Sequence, residues 1–391
     1  MSNGKKKEFS LEDSFFTSLA KEIGGDVLDD LDKTRGLIDT GILGLNYAIS
    51  GKFVGGGLPM GICAEVFGGS SSGKTLIGTN LLRGCQIGGG VPVFLDAEKT
   101  INKQFAVKAS HLDPKKLLVI YGDTLERAFN KIFNVIRKIR HDWEVPIEKP
   151  IVIVYDSIAV SPSEREFAET ELDMETATKA EIKEAGAGAD KPGERARICS
   201  KELRKLTPYL QENNATVLFI NQERMKIGVM FGNPRTGGGG GMALPYYCSS
   251  RIELFSSKRI KNANGKVIGV NISLKTVKNK ISIPFIEVSN TRLLFEQGID
   301  CFSGLLELLL MDGRISGSGN YVVNEKYSDG KEVKFKGNKE RNDMPMEVLL
   351  SCPKLIDAET KEQVEHYITA FGSAMEGLKG DISEEDIHDD E

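Results

Sequence analysis

The eight residues Gly68, Gly69, Ser70, Ser71, Ser72, Gly73, Lys74 and Thr75 fit the pattern G-x-x-x-x-G-K-[ST]. They follow an apolar run, Ile62 to Phe67, suited to a buried strand, and precede an amphipathic stretch, Leu76 to Leu82. Strand, glycine-rich turn and helix in that order form a unit whose turn points successive backbone N–H groups at an anion. Gly68 and Gly73 give the backbone its freedom, and the helix opening at Lys74 adds its positive end. The expected ligand is a nucleoside triphosphate, with Lys74 reaching its phosphates and Thr75 holding Mg2+. The Gly-rich segment from Gly51 to Gly57 lacks the G-K-[ST] ending; with Gly41 to Ile49 it reads as a linker into the core.

Downstream, β-type apolar runs alternate with helical ones. Val91 to Leu95, Leu117 to Tyr121, Ile151 to Tyr155 and Thr216 to Asn221 read as strands, with helices near 125–140 and 194–212 between them. That rhythm predicts an α/β fold with a largely parallel sheet covered on both faces. Arg251 to Phe255, Lys266 to Val277 and Pro284 to Phe295 read as antiparallel additions. Before the core, Leu11, Phe15, Leu19 and Ile23 share one helical face, which predicts a short N-terminal helix. From Gly298 a small mixed domain is expected, with helices near 303–310 and 360–376. The domain boundaries expected are an arm at 1–36, a core at 37–297, a C-terminal domain at 298–379 and a tail at 380–391. The last twelve residues carry seven acidic side chains and no Lys or Arg, the composition of a solvated, disordered tail that could compete with DNA phosphates for basic surface.

In such a sheet a ligand lies outside the C-terminal strand ends. Those ends carry the phosphate loop, Asp96 and Glu98, Asp156 and Ser157, and Asn221 and Gln222. Asp156 suits a water-mediated Mg2+ contact. Glu98 is the candidate to orient and deprotonate an attacking water, with Asp96 a competitor that spacing does not exclude. Gln222, a neutral amide able to donate and accept, can sense a γ-phosphate without repelling it. No two of the six cysteines have C-x-x-C spacing and the four histidines are scattered, so zinc, disulfide and histidine-based chemistry are not expected. No apolar run is long enough to span a bilayer, and a cytoplasmic location follows as the default.

Residues Glu223 to Gly241 mix cations (Arg224, Lys226, Arg235) with Met225, Ile227, Val229, Met230 and Phe231, and end in five consecutive glycines. Ordering backbone costs roughly 1–2 kcal/mol per residue, and more for glycine, so a ligand is expected to order this loop. A polyanion with stackable bases fits: cations meet phosphates, and Ile227 or Met225 can wedge between bases. The other reading of the composition is a flexible substrate lid. Arg197 and Arg204 share a helix face with Ser200 between them, and Lys278 and Lys280 lie on one side of a strand end.

The segments Gly57 to Gly61, Gly68 to Thr75, Phe94 to Glu98, Ile220 to Pro234 and Val277 to Ile281 together resemble the bacterial RecA family of recombinases, over roughly residues 35 to 300. The resemblance implies a RecA-type ATPase core whose protomers form a helical filament on single-stranded DNA, with ATP and Mg2+ between neighbours. It implies a DNA-dependent ATPase that pairs single-stranded with double-stranded DNA and exchanges strands in repair. Glu98 then resembles the catalytic glutamate, Gln222 the γ-phosphate switch, and Lys278 and Lys280 the pair that reaches the neighbour's ATP. Phe105 and Phe295 fall at positions beside adenine. Arg197, Ser200, Arg204, Arg224, Met225, Lys226, Ile227, Gly240 and Gly241 fall at DNA-contacting positions. Tyr246 matches an aromatic subunit contact, and the helix within Ser10 to Ile23 an arm that docks on the next protomer. Single-strand-binding protein, loader proteins and a LexA-type repressor of the SOS response are the family's further partners. The chain departs from the pattern in a Glu/Ala/Lys-rich insertion, Ala168 to Ala189, at the first DNA loop, and in a weak match beyond Glu307. That divergence suits a phage-encoded member as well as a chromosomal one. A hexameric helicase and a regulatory ATP-binding protein are the alternatives within reach of the same core.

Overall fold

A computed structural model of the chain describes residues 13–25, 27, 36–171, 193–225, 235–237, 241–262, 264–339, 341–371 and 383–386. The chain divides into two units, residues 1–36 and 37–391. In the first, α1 (Asp13–Ile23) exposes Phe16, Leu19 and Ile23, three apolar residues on one stripe.

In the second unit, β1 (Leu37–Ile38) pairs antiparallel with β2 (Leu58–Pro59), and α2 (Leu43–Ser50) between them is buried from Leu43 to Ile49. The linker expected over 41–49 is thus a core helix. Its residues are apolar nearly all round, so the 3.6-residue alternation that announces a surface helix is missing. Gly44 permits its close packing, since a Cβ there would lie 2.5 Å from Val288 Cγ1.

The central sheet begins with β3 (Cys63–Gly68), which feeds α3 (Lys74–Ile87) and then β4 (Val91–Asp96). It continues through α4 (Lys103–Ser110), β5 (Leu118–Tyr121), α5 (Leu125–Arg137), β6 (Ile151–Asp156), α6 (Glu164–Glu171), α7 (Glu194–Glu212) and β7 (Ala215–Met225). In space the strands run β5-β4-β6-β7-β3, all parallel. Alternating residues serve two cores: Val152, Val154, Leu218 and Ile220 meet Leu76, Ile77 and Leu81 of α3 on one face. Ile151, Ile153, Tyr155, Val217 and Phe219 meet Phe129, Ile132 and Ile136 of α5 and Leu203, Leu206 and Leu210 of α7 on the other. Each such buried aliphatic or aromatic side chain stabilises the fold by about 1.5–3 kcal/mol relative to exposure. The side chain of Thr124 caps α5 by accepting from the Arg127 N–H at 3.3 Å.

After β7, β8 (Arg235–Gly237) pairs back on its end and α8 (Ala243–Tyr247) leads into β9 (Ser250–Lys261). The sheet then grows through β10 (Val267–Asn279), β11 (Glu287–Leu294) and β12 (Gly298–Ile299). β10 and β11 are antiparallel additions, as their sequence implies. The segment from Arg251 to Phe255 differs: β9 is antiparallel to β10 but parallel to β3, with Ala64 to Gly68 beside Ser250 to Leu254. Direction is set by which neighbour a strand meets, and that lies outside its own alternation.

The remainder comprises α9 (Leu305–Met311), the three-stranded β13 (Ile315–Ser318), β14 (Asn320–Val323) and β15 (Lys334–Lys336), then α10 (Met346–Ser351) and α11 (Lys361–Phe371). Its apolar residues, from Leu305 to Phe371, belong to the same core that packs under α3. Within the acidic C-terminal segment, β16 (Ser383–Asp386) pairs antiparallel with β9, setting Ser383 to Asp386 beside Lys261 to Lys258. Composition reads that stretch as solvated; backbone pairing against a strand carrying Lys258, Arg259 and Lys261 accounts for the difference.

Candidate functional site

The phosphate loop spans the gap between β3 and α3, with Gly73 at φ 94° as the N-cap of the helix. A Cβ at Gly73 would lie 2.4 Å from Leu293 Cδ1, and one at Gly68 would lie 2.5 Å from the Leu254 carbonyl oxygen. The backbone contact makes glycine necessary at Gly68, and the positive φ makes it the favoured residue at Gly73. Gly69, Ser70 and Ser71 are exposed, whereas Ser72 is buried. Lys74, also buried, donates from Nζ to the carbonyls of Gly68 (3.1 Å) and Gly69 (2.5 Å) and to Ser72 Oγ (3.5 Å). Burial pulls its ammonium below the ordinary lysine value, while the carboxylates of Asp156, Glu98 and Glu223 hold it up.

Thr75 Oγ1 donates to Asp156 Oδ2 at 2.6 Å. Burial, with the fields of Glu98 and Asp96, pushes the Asp156 carboxyl up to about 6, against the Thr75 hydroxyl and Lys74, which lower it. An aspartate so placed lacks positive charge, and hydroxyl plus carboxylate form the hard oxygen set that Mg2+ takes. Among the described residues no group of three His, Cys, Asp or Glu could hold a metal ion by itself. The donor set thus fits an ion that brings most of its ligands as phosphate oxygens and water.

The two carboxylates after β4 are held differently. Asp96 is buried and accepts from the N–H groups of Thr100 (3.3 Å) and Ile101 (3.0 Å), which shape the following turn. Glu98 is exposed, and its Oε1 accepts from Ser157 Oγ at 2.7 Å. Spacing gives Ser157, the residue after Asp156, no role; only its place after a strand-ending aspartate marks it.

Two clefts meet at Thr75. One, of about 260 Å³, is lined by Ser71 to Leu76, Val270, Leu293 and Phe295. The other, of about 320 Å³, is lined by Thr75, Thr79, Phe94, Thr100, Ile101, Asn102 and Ala106. Phe295 is half-exposed beside the first, while Phe105 is described only as backbone of α4. Thr100, Ile101 and Asn102 carried no sequence signal of their own, because a turn's lining depends on how Asp96 folds it.

Gln222 is exposed and stands in register with Gly68, at the root of the phosphate loop. Arg197 and Arg204 are exposed on α7, with Ser200 half-buried between them. Gly241, at φ 60°, abuts the first turn of α7, where a Cβ would come within 2.8 Å of Ala196 Cβ. Arg224 and Met225 are described only as backbone of β7, and Lys226, Ile227 and Gly240 lie outside the described residues, as does the insertion beyond residue 171. Lys278 donates from Nζ to the carbonyls of Pro245 (2.7 Å) and Tyr246 (2.9 Å) in α8, whose Tyr246 ring is 77% exposed. Burial and the charges of Lys280 and Arg251 pull its ammonium below the ordinary value. Neither Lys278 nor the exposed Lys280 lines either cleft of its own chain. No helix among the described residues is long and apolar enough to cross a membrane.

A family model described as the RecA N-terminal domain matches residues 16–300. The chain is 34% identical over 354 residues to Protein RecA of Thermus aquaticus, covering 89% of this chain and 94% of the relative. It is 35% identical over 313 residues to Protein RecA of Thioalkalivibrio sulfidiphilus (80% of this chain, 82% of the relative), and 35% over 285 residues to that of Caulobacter sp. strain K31 (73% and 70%). A match of this extent, on a parallel sheet that carries the phosphate loop, shows that the chain belongs to the RecA family.

Proposed function

We propose that the protein is an ATP-dependent recombinase: it forms a helical filament on single-stranded DNA, hydrolyses ATP, pairs the bound strand with homologous duplex and exchanges strands. The observation that carries this is the course of β7. The strand leaves the sheet beside the phosphate loop, with Gln222 opposite Gly68, and continues through Arg224 and Met225 into the loop of mixed cations, apolar side chains and glycines. A change felt at Gln222 is transmitted along one strand to groups suited to phosphates and bases.

ATP with Mg2+ supplies the transferable phosphoryl group and neutralises the charge that develops on it. Lys74, whose ammonium rests on the loop carbonyls, would meet the phosphates of the bound nucleotide. Thr75 and Asp156, bonded to one another, would hold the ion when it is bound, the aspartate through water. Glu98 accepts the proton of the attacking water, and Ser157 fixes Oε1 so that the carboxylate keeps its aim. Asp96 is committed to its turn, which leaves the base role to Glu98. Phe105 and Phe295 flank the base of the nucleotide. Lys278 and Lys280 serve the nucleotide of a neighbouring protomer, whose contacts include Tyr246 and the apolar stripe of α1. Arg197, Ser200, Arg204 and the end of the loop at Gly241 hold DNA beside Lys226, Ile227 and Gly240.

The variant Glu98→Gln tests this. It should bind nucleotide and single-stranded DNA within about threefold of wild type while DNA-stimulated turnover falls by about a hundredfold or more. Wild-type turnover in E98Q, or wild-type hydrolysis indifferent to DNA, would overturn the proposal; unwinding of duplex without homology would point to a helicase instead.

A further inference from the structure

Glu65, in the middle of β3, is fully buried in the face of the sheet under α7 and α8. Its two oxygens reach opposite neighbours in the sheet. Oε1 accepts from Asn221 Nδ2 on β7 at 2.8 Å, and Oε2 accepts from Arg251 Nε on β9 at 2.5 Å. Asn221 is buried and immediately precedes Gln222. Successive side chains of a strand point to opposite faces, so anchoring Asn221 on one face fixes the orientation in which Gln222 emerges on the other. Arg251 lies with its guanidinium 4.7 Å from the Phe67 ring centroid and stands opposite Lys278 in the β9–β10 register. Two cations directly opposed on a sheet repel one another, and the Glu65 carboxylate neutralises one of them. Lys278 in turn holds the carbonyls of Pro245 and Tyr246.

One buried carboxylate thus joins the strand end that carries Gln222 to the strand pair that carries Lys278. A buried ion pair contributes little net stability compared with apolar groups of the same shape, so its value lies in positioning. Arg251 Nη2 is buried with no hydrogen-bond partner among the described residues, a donor that a second arrangement of these strands can satisfy. We propose that Glu65 is a positioning residue that couples the two halves of the nucleotide site, so that Gln222 in one protomer's site and Lys278, presented to the next, shift together. This rests on the recombinase reading of Gln222 and Lys278.

The test compares wild type, Glu65→Gln and the double variant Glu65→Gln/Arg251→Met, in which both charges are removed. The readouts are the affinity for a labelled nucleotide without DNA, and the ratio of single-stranded oligonucleotide affinities measured with a slowly hydrolysed ATP analogue and with ADP. In E65Q nucleotide affinity should stay within about threefold of wild type while the ratio falls by about tenfold or more. The double variant should recover thermal stability but not the ratio, and it carries the measurement should E65Q fail to fold. A merely structural role predicts that nucleotide affinity and ratio fall together and that the double variant restores both, which would overturn the proposal. So would a wild-type ratio kept intact in E65Q. A wild-type ratio of one would overturn the recombinase reading itself, and this coupling with it.

Discussion

At the scale of single residues, the candidate nucleotide site is a set of side chains bonded to one another: Lys74 to its own loop, Thr75 to Asp156, Ser157 to Glu98. Each of these bonds satisfies a buried or partly buried polar group that would otherwise carry a desolvation cost. Of the three, the Ser157 hydroxyl is the most separable, because it orients Glu98 without touching the phosphate loop. Ser157→Ala should lower kcat for ATP hydrolysis by about tenfold with KM little changed, the pattern of a lost interaction that aims the base and does not bind substrate. Steady-state kinetics with saturating single-stranded DNA measures this; a raised KM at unchanged kcat would contradict it. Gly73→Ala should abolish nucleotide binding, since its Cβ would run into Leu293 and its φ of 94° is strained for any residue with a side chain. A filter-binding or fluorescence titration reads that directly.

At the scale of elements, β1 and α11 are joined through Asp39. Its Oδ1 accepts from Gly41 N, Asn46 Nδ2 and Tyr367 Oη, each at 2.8 Å. Burial nonetheless pushes its carboxyl above the ordinary value. The native state therefore holds this proton more tightly than the unfolded chain does. The stabilisation from the protonated form is present below the unfolded value, 3.8, and is lost as pH rises through the raised native value. Asp39→Asn keeps an oxygen for all three donors and removes the charge. Its thermal midpoint should match wild type near pH 4 and exceed it by a few degrees at pH 8; parallel pH profiles would contradict this.

The elements legible in the sequence were those whose pattern is local. The phosphate loop follows from eight adjacent residues, and α7 and the central strands from apolar periodicity. α2 was not legible, because a helix buried all round has no polar face to mark its period. The parallel pairing of β9 with β3 was not legible either, since the neighbour lies far away in the chain. In the site, Glu98, Asp156 and Gln222 could be found as strand-end residues, but Ser157 and the lining at Thr100 to Asn102 depend on how one turn is held by Asp96. Glu65 reads as one more strand residue until β3 is flanked by Asn221 and Arg251.

At the scale of the whole molecule, the proposed function requires the nucleotide to be shared between protomers. Lys278 and Lys280 line neither cleft of their own chain, Tyr246 is exposed beside them, and α1 carries an exposed apolar stripe. A head-to-tail contact of this kind closes into a ring or, where the rotation does not close, builds an open filament, and the proposed recombinase function requires the second. ATP and DNA then favour the same assembled state, and each should tighten the other by the same factor. If DNA lies along Arg197, Arg204 and the loop cations, as proposed, its binding should weaken steeply with salt in proportion to the phosphates neutralised. The sharing of the site is tested most directly by mixing two inactive variants, Glu98→Gln and Lys278→Ala/Lys280→Ala, on single-stranded DNA. Each alone should hydrolyse ATP at a few per cent of the wild-type rate or less. At equal proportions, random assembly leaves about one interface in four with an intact Glu98 facing intact lysines, so about a quarter of wild-type activity should return. A mixture no more active than its components would contradict a nucleotide site built from two protomers.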